Sequence, residues 1–161
     1  MEGVGSVNET VIEIRDLVKT YGKQNAVDGI SLSIKRGEVF AFLGPNGAGK
    51  TTTVEIIEGI RTPTKGKVRM LGYDSSKGSV KMKVRIGVLP QEFPSFDKLT
   101  VMETVDFFKS LYKNPVETDD LLKMLNLSSH RKKRYQDLSG GLKQRVGIAA
   151  SLVNDPEIVF L

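Results

Sequence analysis

Hydrophobic and polar residues alternate in the first part of the chain in a way that predicts β-strands. Residues 11–17 and 30–34 place apolar side chains at every second position, as in a strand with one exposed face. Residues 38–43 are almost continuously apolar, which is typical of a strand buried on both faces. Further short strands are predicted at 67–71, 87–90 and 158–161. The pattern therefore indicates a short antiparallel β layer followed by fully buried strands.

Helical spacing of apolar residues predicts helices between these strands. One helix should begin at a capping box made by Thr100 and Glu103 and end at Asn114-Pro115, and a later helix should be capped by Thr118. Residues 92–137 thus form a helical insertion in an α/β core. The apolar faces are Val54, Ile57 and Ile60; Val101, Val105, Phe108 and Tyr112; Leu121, Leu122 and Leu125; and Leu142, Val146, Ala149 and Val153.

Size and composition narrow the class of protein. The chain has 161 residues, which suits one domain, and its lack of cysteine excludes disulfides and thiolate zinc sites. The net charge is +5, and the whole excess lies in residues 1–90, with 14 basic and 9 acidic groups. This balance suits a polyanionic ligand but is too small to indicate nucleic acid. The polar first ten residues, without an apolar signal core, predict a cytoplasmic location.

One dense basic cluster and one histidine stand apart from this pattern. Arg131-Lys132-Lys133-Arg134 is interpreted as a solvated helix end or loop, with a contact to anionic lipid or nucleic acid as the alternative. His130 precedes the cluster without a second ligand nearby, so we expect it to be a surface histidine.

The strongest chemical signal is a glycine-rich loop that matches Gly-x-x-x-x-Gly-Lys-Thr. Its glycines allow a tight turn that aims backbone N–H groups at phosphate oxygens. Lys50 is placed to reach the β- and γ-phosphates, and Thr51 offers a hydroxyl to Mg²⁺. The loop lies between a predicted strand and a predicted helix, whose N-terminus adds a positive end. The sequence therefore predicts binding of the polyphosphate tail of a nucleotide.

Further features stand in a fixed order around this loop. Tyr21 follows the first strand, Gln91 follows the strand that ends at Pro90, and an apolar strand closes the chain. Leu138-Ser139-Gly140-Gly141 leads into a helix, with Ser139 lying 89 residues after Lys50. With these residues the chain, from Val11 onward, resembles the nucleotide-binding domain of an ATP-binding cassette (ABC) transporter. Details around the loop and Gln91 are most similar to ATPase subunits of exporters for drugs, antibiotics, sodium or polysaccharides.

The resemblance implies an α/β fold, a P-loop NTPase cassette with an antiparallel β layer, a mostly parallel core sheet and an inserted helical subdomain. It implies one ABC ATP-binding domain over residues 1–161, divided into a nucleotide-binding core (1–91), a helical subdomain with the signature (92–141) and a return to the core (142–161). The C-terminal part of that core would be missing.

The resemblance also implies roles for single residues. Tyr21 would stack on adenine, Lys50 and Gln91 would act in catalysis, and Thr51 and Gln91 would hold Mg²⁺. The residues implied to contact ATP are Tyr21, Gly44, Pro45, Asn46, Gly47, Ala48, Gly49, Lys50, Thr51, Thr52, Ser139, Gly140 and Gly141. The last three would meet the γ-phosphate of ATP held by a second copy.

The implied function is ATP binding and hydrolysis that power transport across a membrane, most similar to efflux. The implied partners are ATP, Mg²⁺, a second nucleotide-binding domain in a head-to-tail dimer, and membrane-spanning permease subunits on whose cytoplasmic side the chain would sit. No nucleic-acid partner is expected. Two alternatives remain: a soluble ABC-type ATPase acting in translation or repair, and an inert nucleotide-binding fragment.

Two departures from the family pattern affect these expectations. Leu142 stands where the commonest form of the family signature has a polar Gln, and this substitution resembles the exporter-type branch. The chain also stops within the strand that in the family ends with a Mg²⁺-binding Asp, before the Glu that polarises the attacking water. We therefore expect a truncated cassette that binds nucleotide but hydrolyses it poorly.

Overall fold

The computed structural model describes residues 9–90, 93 and 96–161. Their contacts form two compact units, one that ends at Lys83 and one that spans Val84–Leu161. The three-part division at residues 91 and 141 stays a prediction. Among the described residues, every helix is too short or too polar to cross a lipid bilayer.

The first unit is built on four strands, β1 (Thr10–Tyr21), β2 (Gln24–Lys35), β3 (Lys65–Met70) and β4 (Tyr73–Asp74). They form an antiparallel sheet in the order β2-β1-β3-β4. Alternation along β1 buries Ile12 and Ile14 and exposes Arg15, as the sequence predicts. A bulge at Asp16, whose φ is 48°, then shifts the register and returns Leu17 to the core. The predicted antiparallel layer is therefore confirmed.

Two helices complete the first unit, α1 (Lys50–Ile57) and α2 (Val80–Lys83), with a 3₁₀ turn at Ser75–Lys77. Helix α1 contacts β2 and β3 and buries Ile56 and Ile57 completely. Ile60, expected on the same face, lies beyond the helix end and is 63% exposed. The prediction that residues 54, 57 and 60 form one buried helix face is therefore only partly right.

Residues 38–43 do not form the predicted buried strand. Val39 is fully exposed, and Leu43 is 90% exposed. A strand requires a hydrogen-bonded neighbour that satisfies its backbone groups. None of the described strands pairs with this segment, so its apolar composition alone does not produce a strand.

In its described residues the second unit contains three α-helices, α3 (Val101–Lys109), α4 (Thr118–Met124) and α5 (Gly140–Ser151). The predicted capping box is confirmed: the Thr100 N–H donates to Glu103 Oε2 at 2.8 Å, and the Glu103 N–H donates to Thr100 Oγ1 at 3.2 Å. Helix α3 ends at Lys109, before the predicted stop at Asn114-Pro115. The helices share a buried core made by Val101, Val105, Leu121, Leu122, Leu127, Tyr135, Leu138, Val146, Ala149 and Val153.

The prediction that Thr118 caps α4 is wrong. Glu117 occupies the cap position without a side-chain cap bond, and Thr118 is the first helical residue. The Thr118 hydroxyl is instead buried and donates to the carboxylate of Asp106 in α3. A hydrogen bond to an ionised carboxylate is about twice as strong as one between neutral groups, so the contact with Asp106 fixes the orientation of the Thr118 side chain.

A parallel pair of strands, β5 (Ile86–Val88) and β6 (Ile158–Phe160), lies beside these helices. Gly87 pairs with Val159 in this ladder, and the Asn154 side-chain amide donates to the carbonyls of Val84 and Ile86 at 2.9 Å each. Gly87 is required here because a Cβ on it would lie 2.0 Å from the Ser151 carbonyl oxygen. Both predicted strands are thus present and run parallel, but the prediction that the last strand is fully buried is wrong: all three residues of β6 are half-buried, and Leu161 is 80% exposed.

Candidate functional site

The glycine-rich loop has the backbone conformation that its sequence predicts. Gly44, Gly47 and Gly49 have φ values of 150°, 84° and 81°, in the region that glycine tolerates best. Residues 44–48 are exposed to solvent. The Lys50 Nζ donates to the carbonyls of Gly44 at 2.7 Å and Pro45 at 2.8 Å. The ammonium group therefore lies against the concave backbone on which a phosphate chain would rest.

The N-terminus of α1 supplies the other half of this cradle. Gly49 occupies the cap position without a side-chain cap bond, and the Thr53 N–H donates to its carbonyl at 2.8 Å. The earlier N–H groups of the first turn have no acceptor within the helix, so they are available to bind an anion. Gly49 also packs tightly on β2, because a Cβ on it would lie 2.1 Å from the Ala26 carbonyl oxygen.

Threonines of α1 divide between solvent and core. Thr51 is exposed, Thr52 is half-buried, and Thr53 is buried with its hydroxyl donating to the Gly49 carbonyl at 2.9 Å. The described residues contain no group of three or more His, Cys, Asp or Glu side chains suited to a metal. Mg²⁺ commonly takes one or two protein oxygens and completes its shell with phosphates and water, so the Thr51 hydroxyl fits such an ion.

Tyr21 lies at the end of β1 with its side chain open to solvent. Its residue is 44% exposed, and it pairs with Gln24 of β2. Ala26, whose carbonyl contacts Gly49, is two residues further along β2, a span of about 7 Å in an extended strand. The fold thus brings the aromatic ring and the phosphate loop to one end of the same two strands.

Charged residues surround the C-terminal end of α1. Glu58 is buried, and this burial, together with the nearby Glu55 carboxylate, raises its pKa to about 7. Glu55 also forms an ion pair with Arg61. The hydrogen bond from Arg61 to Glu55 and the negative charge of Glu55 raise the pKa of the Arg61 guanidinium above its usual value. Tyr21 raises this pKa more weakly.

The signature residues lie in the second unit, at the start of α5. Ser139 is the cap residue, and its Oγ accepts the Leu142 N–H at 3.4 Å. Ser139, Gly140 and Gly141 are all exposed, and a Cβ on either glycine would have no atom within 4 Å. The structure therefore presents this helix end bare, as a second anion site would require.

Two other predicted features have different outcomes. Gln91 lies outside the described residues, so its catalytic and metal-binding roles stay predictions. The basic cluster is the expected loop: residues 132–134 are exposed, and the carbonyls of Arg131 and Lys133 accept the N–H groups of Met102 and Val101. The backbone carbonyls of the cluster thus satisfy N–H groups at the N-terminal end of α3.

His130 is not the surface histidine that was expected. It is half-buried, and its Nδ1 is buried with no hydrogen-bond partner among the described residues. Packing of the 3₁₀ turn Ser128–His130 against α4 decides this placement, which a single isolated histidine in a sequence does not reveal.

A family model described as ABC transporter matches residues 27–161. This chain belongs to the ABC transporter family. The matched ABC region begins in β2 and includes the phosphate loop, the segment of Gln91 and the signature at Ser139. The predicted fold class is confirmed by solved ABC structures, described next.

The relatives are ABC proteins of similar sequence but greater length. The chain is 36% identical to the probable multidrug ABC transporter ATP-binding protein YbhF of Escherichia coli (strain K12), over 98% of this chain and 28% of that protein. It is 35% identical to the linearmycin resistance ATP-binding protein LnrL of Bacillus subtilis (strain 168), over 94% of this chain and 50% of that protein. The chain thus spans half or less of the length of these relatives.

Solved ABC structures share the fold. The protein cbiO1 from Clostridium perfringens, described as part of the ABC transporter complex cbiONQ, aligns with a TM-score of 0.83 at 30% identity, over 94% of this chain and 64% of that chain. The ATP-binding cassette MJ0796, solved as a dimer bound to ADP and Pi, aligns with a TM-score of 0.77 at 29% identity, over 92% and 72%. Both likenesses extend over both units of this chain.

Sequence reasoning did not single out three residues around β1, β2 and α1. Lys19 contacts the Tyr21 ring, the Ala26 backbone lies against Gly49 of the loop, and Glu58 is buried at the C-terminal end of α1. Only the contact of Lys19 with Tyr21 could have been predicted from the sequence, because residues two apart in a strand share one face. The contacts of Ala26 and Glu58 depend on how α1 packs.

Proposed function

We propose that this chain binds ATP with Mg²⁺ and forms the ATP-binding part of a subunit whose ATP hydrolysis drives export of a substrate across a membrane. The observation that carries the proposal is the phosphate loop, with three glycines in the left-handed region, an uncapped helix end and Lys50 lying on the loop backbone. A triphosphate carries several negative charges, and each of these three features favours an anion.

The loop and Lys50 act on the phosphates by position and charge. On binding, the Lys50 ammonium exchanges the carbonyls of Gly44 and Pro45 for oxygens of the β- and γ-phosphates. The first-turn N–H groups of α1 donate to the same phosphate chain. These donors are fixed before ATP arrives, so they stabilise the charge of a loose phosphoryl transition state without rearranging.

Thr51 and Gln91 are the proposed protein contacts of the metal. When bound, Mg²⁺ neutralises charge on the β- and γ-phosphate oxygens. The exposed Thr51 hydroxyl lies one residue after Lys50, on the same helix end as the phosphate donors. Gln91 is proposed to orient the attacking water.

Tyr21 and Ser139–Gly141 complete the proposed site from two chains. Tyr21 would stack on adenine, while Ser139, Gly140 and Gly141 would donate to the γ-phosphate held by a second copy. The exposed start of α5 supports this role, and the dimer of the ADP-bound cassette MJ0796 supports pairing with a second copy, which we propose to be head-to-tail. Permease subunits and a position at the cytoplasmic membrane face are part of the proposal, because the relatives include a probable multidrug ABC transporter ATP-binding protein and a bacitracin transport ATP-binding protein.

The test of ATP binding compares two lysine variants of the first unit. Lys50→Met removes the phosphate contact, and Lys81→Met removes an exposed charge from α2 as a matched control. Titration calorimetry with ATP and MgCl₂ should show binding that weakens by about 10- to 100-fold in Lys50→Met, the loss expected for a charge-assisted hydrogen bond. Equal affinities in the wild type and Lys50→Met, or no binding at all, would contradict the proposal.

Transport is tested separately in cells that produce the protein. Lys50→Met should raise the accumulation of an exported fluorescent drug, whereas Lys81→Met should leave the accumulation unchanged. A protein that instead sediments with ribosomes and leaves drug accumulation unaffected in both variants would favour the alternative of a soluble ABC ATPase in translation.

A further inference from the structure

Lys19 lies directly over the ring of Tyr21. Its Nζ is 5.2 Å from the ring centroid, within the range of a cation–π contact. The two residues are two apart in β1, so their side chains leave the strand on the same face. This contact therefore follows from the strand itself and needs no other element to form.

A second contact fixes the Lys19 side chain. Its Nζ donates to the Thr62 carbonyl at 2.8 Å, which ties the end of β1 to the turn that precedes β3. The adjacent Thr20 N–H donates to Thr64 Oγ1 at 3.0 Å, so the strand end is held to the same turn at two points. An ammonium held in this way stays over the ring and does not simply sample solvent.

We propose that Lys19 is a positioning residue for the nucleobase: it covers one face of the Tyr21 ring and holds the ring so that the opposite face receives adenine. The inference rests on the proposed function, because it takes Tyr21 to be the adenine platform.

The exposure and surroundings of Tyr21 support this arrangement. The residue is 44% exposed although one face carries Lys19, so open ring surface remains for a stacking partner. Arg61, anchored by Glu55, is a further electrostatic neighbour of the Tyr21 side chain. A ring held in one rotamer loses less side-chain entropy when a base stacks on it, and this pre-organisation strengthens binding.

The experiment separates the base from the phosphates. Titration calorimetry with MgCl₂ compares ATP with inorganic tripolyphosphate, which has no base, in the whole chain. The variants are Lys19→Met, Lys19→Arg and, as a matched control, Lys23→Met, which changes an exposed lysine in the turn between β1 and β2. Thermal melting by circular dichroism checks that each variant is folded.

We expect Lys19→Met to weaken ATP binding about two- to fivefold, because a ring that is not held in place loses more side-chain entropy when the base stacks on it, and to leave tripolyphosphate binding unchanged. Lys19→Arg keeps a cation and a donor and should restore most of the ATP affinity. Lys23→Met should change neither ligand.

Four results would overturn the inference. Equal losses for ATP and tripolyphosphate would show a general structural effect, and tighter ATP binding would show that Lys19 obstructs the stacking face. If the wild type prefers ATP to tripolyphosphate and Lys19→Met leaves the ATP affinity unchanged, the positioning role of Lys19 is refuted and the proposed function stands. A wild type that binds neither ligand refutes the proposed function as well.

Discussion

The contact between Gly49 and β2 gives the sharpest prediction about this fold. Gly49 has φ 81°, and a Cβ on it would lie 2.1 Å from the Ala26 carbonyl oxygen and 3.2 Å from Val27 Cγ2. Gly47, in the same loop, has φ 84°, but a Cβ on it would have no atom within 4 Å. Alanine at both sites therefore imposes the same backbone strain, and only at Gly49 does it also impose a clash.

The backbone strain and the clash with β2 make separate contributions to the loss of stability. A left-handed backbone costs an alanine about 1–2 kcal/mol, and this is the whole expected loss for Gly47→Ala. Relieving the Gly49 clash requires the loop and β2 to separate by about 1 Å, and overpacking of this kind costs about 1–3 kcal/mol more. Gly49→Ala should therefore lose about 2–5 kcal/mol, a large share of the 5–15 kcal/mol typical of a domain.

Urea denaturation followed by far-ultraviolet circular dichroism measures both free energies of unfolding. The expected difference between the variants is about 1–3 kcal/mol at an unchanged m-value. Equal destabilisation by Gly47→Ala and Gly49→Ala would refute the reasoning, because it would mean that the close approach to Ala26 is absent or relaxes without cost. ATP binding measured on the same samples should fall more in Gly49→Ala than in Gly47→Ala.

Two further predictions concern ionisable groups. Glu58→Gln should stabilise the protein by at most about 3 kcal/mol at pH 8 and very little at pH 4. The reason is that burial raises the pKa of Glu58 from 4.5 to about 7, so the wild type loses stability as the pH rises between these values. Stability curves of the wild type and the variant that run parallel across this pH range would contradict the prediction. Thr100→Ala should cost about 1 kcal/mol, and Thr100→Ser should restore most of it. Since backbone and side-chain hydrogen bonds from Thr100 lower the pKa of Glu103, the capping contribution should fade as pH falls through that pKa, which urea titrations at several pH values would detect.

Local signals in the sequence predicted much of the candidate site. The phosphate loop, the capping box at Thr100 and the exposed helix start at Ser139 each depend on a few neighbouring residues, and each has the predicted conformation. Their energetics are local, since a glycine's permitted φ or a hydroxyl's reach to an N–H two or three residues away does not depend on distant chain.

Other predictions failed where a distant partner decides the outcome. Residues 38–43 have the composition of a buried strand, yet they remain exposed because none of the described strands pairs with them. Thr118 has the chemistry of a helix cap, but Asp106 of another helix takes its hydroxyl. His130 is half-buried by packing that its sequence neighbours do not indicate.

The sequence by itself determined the family and the phosphate-binding loop, because that chemistry is written in adjacent residues. Only the tertiary structure decided how Gly49 meets Ala26, how Lys19 is tied to Thr62, and that Glu58 is buried. These features join residues that are about 20 to 40 positions apart or lie on different elements, and a contact of that kind exists only when the sheet register and the packing of α1 are fixed.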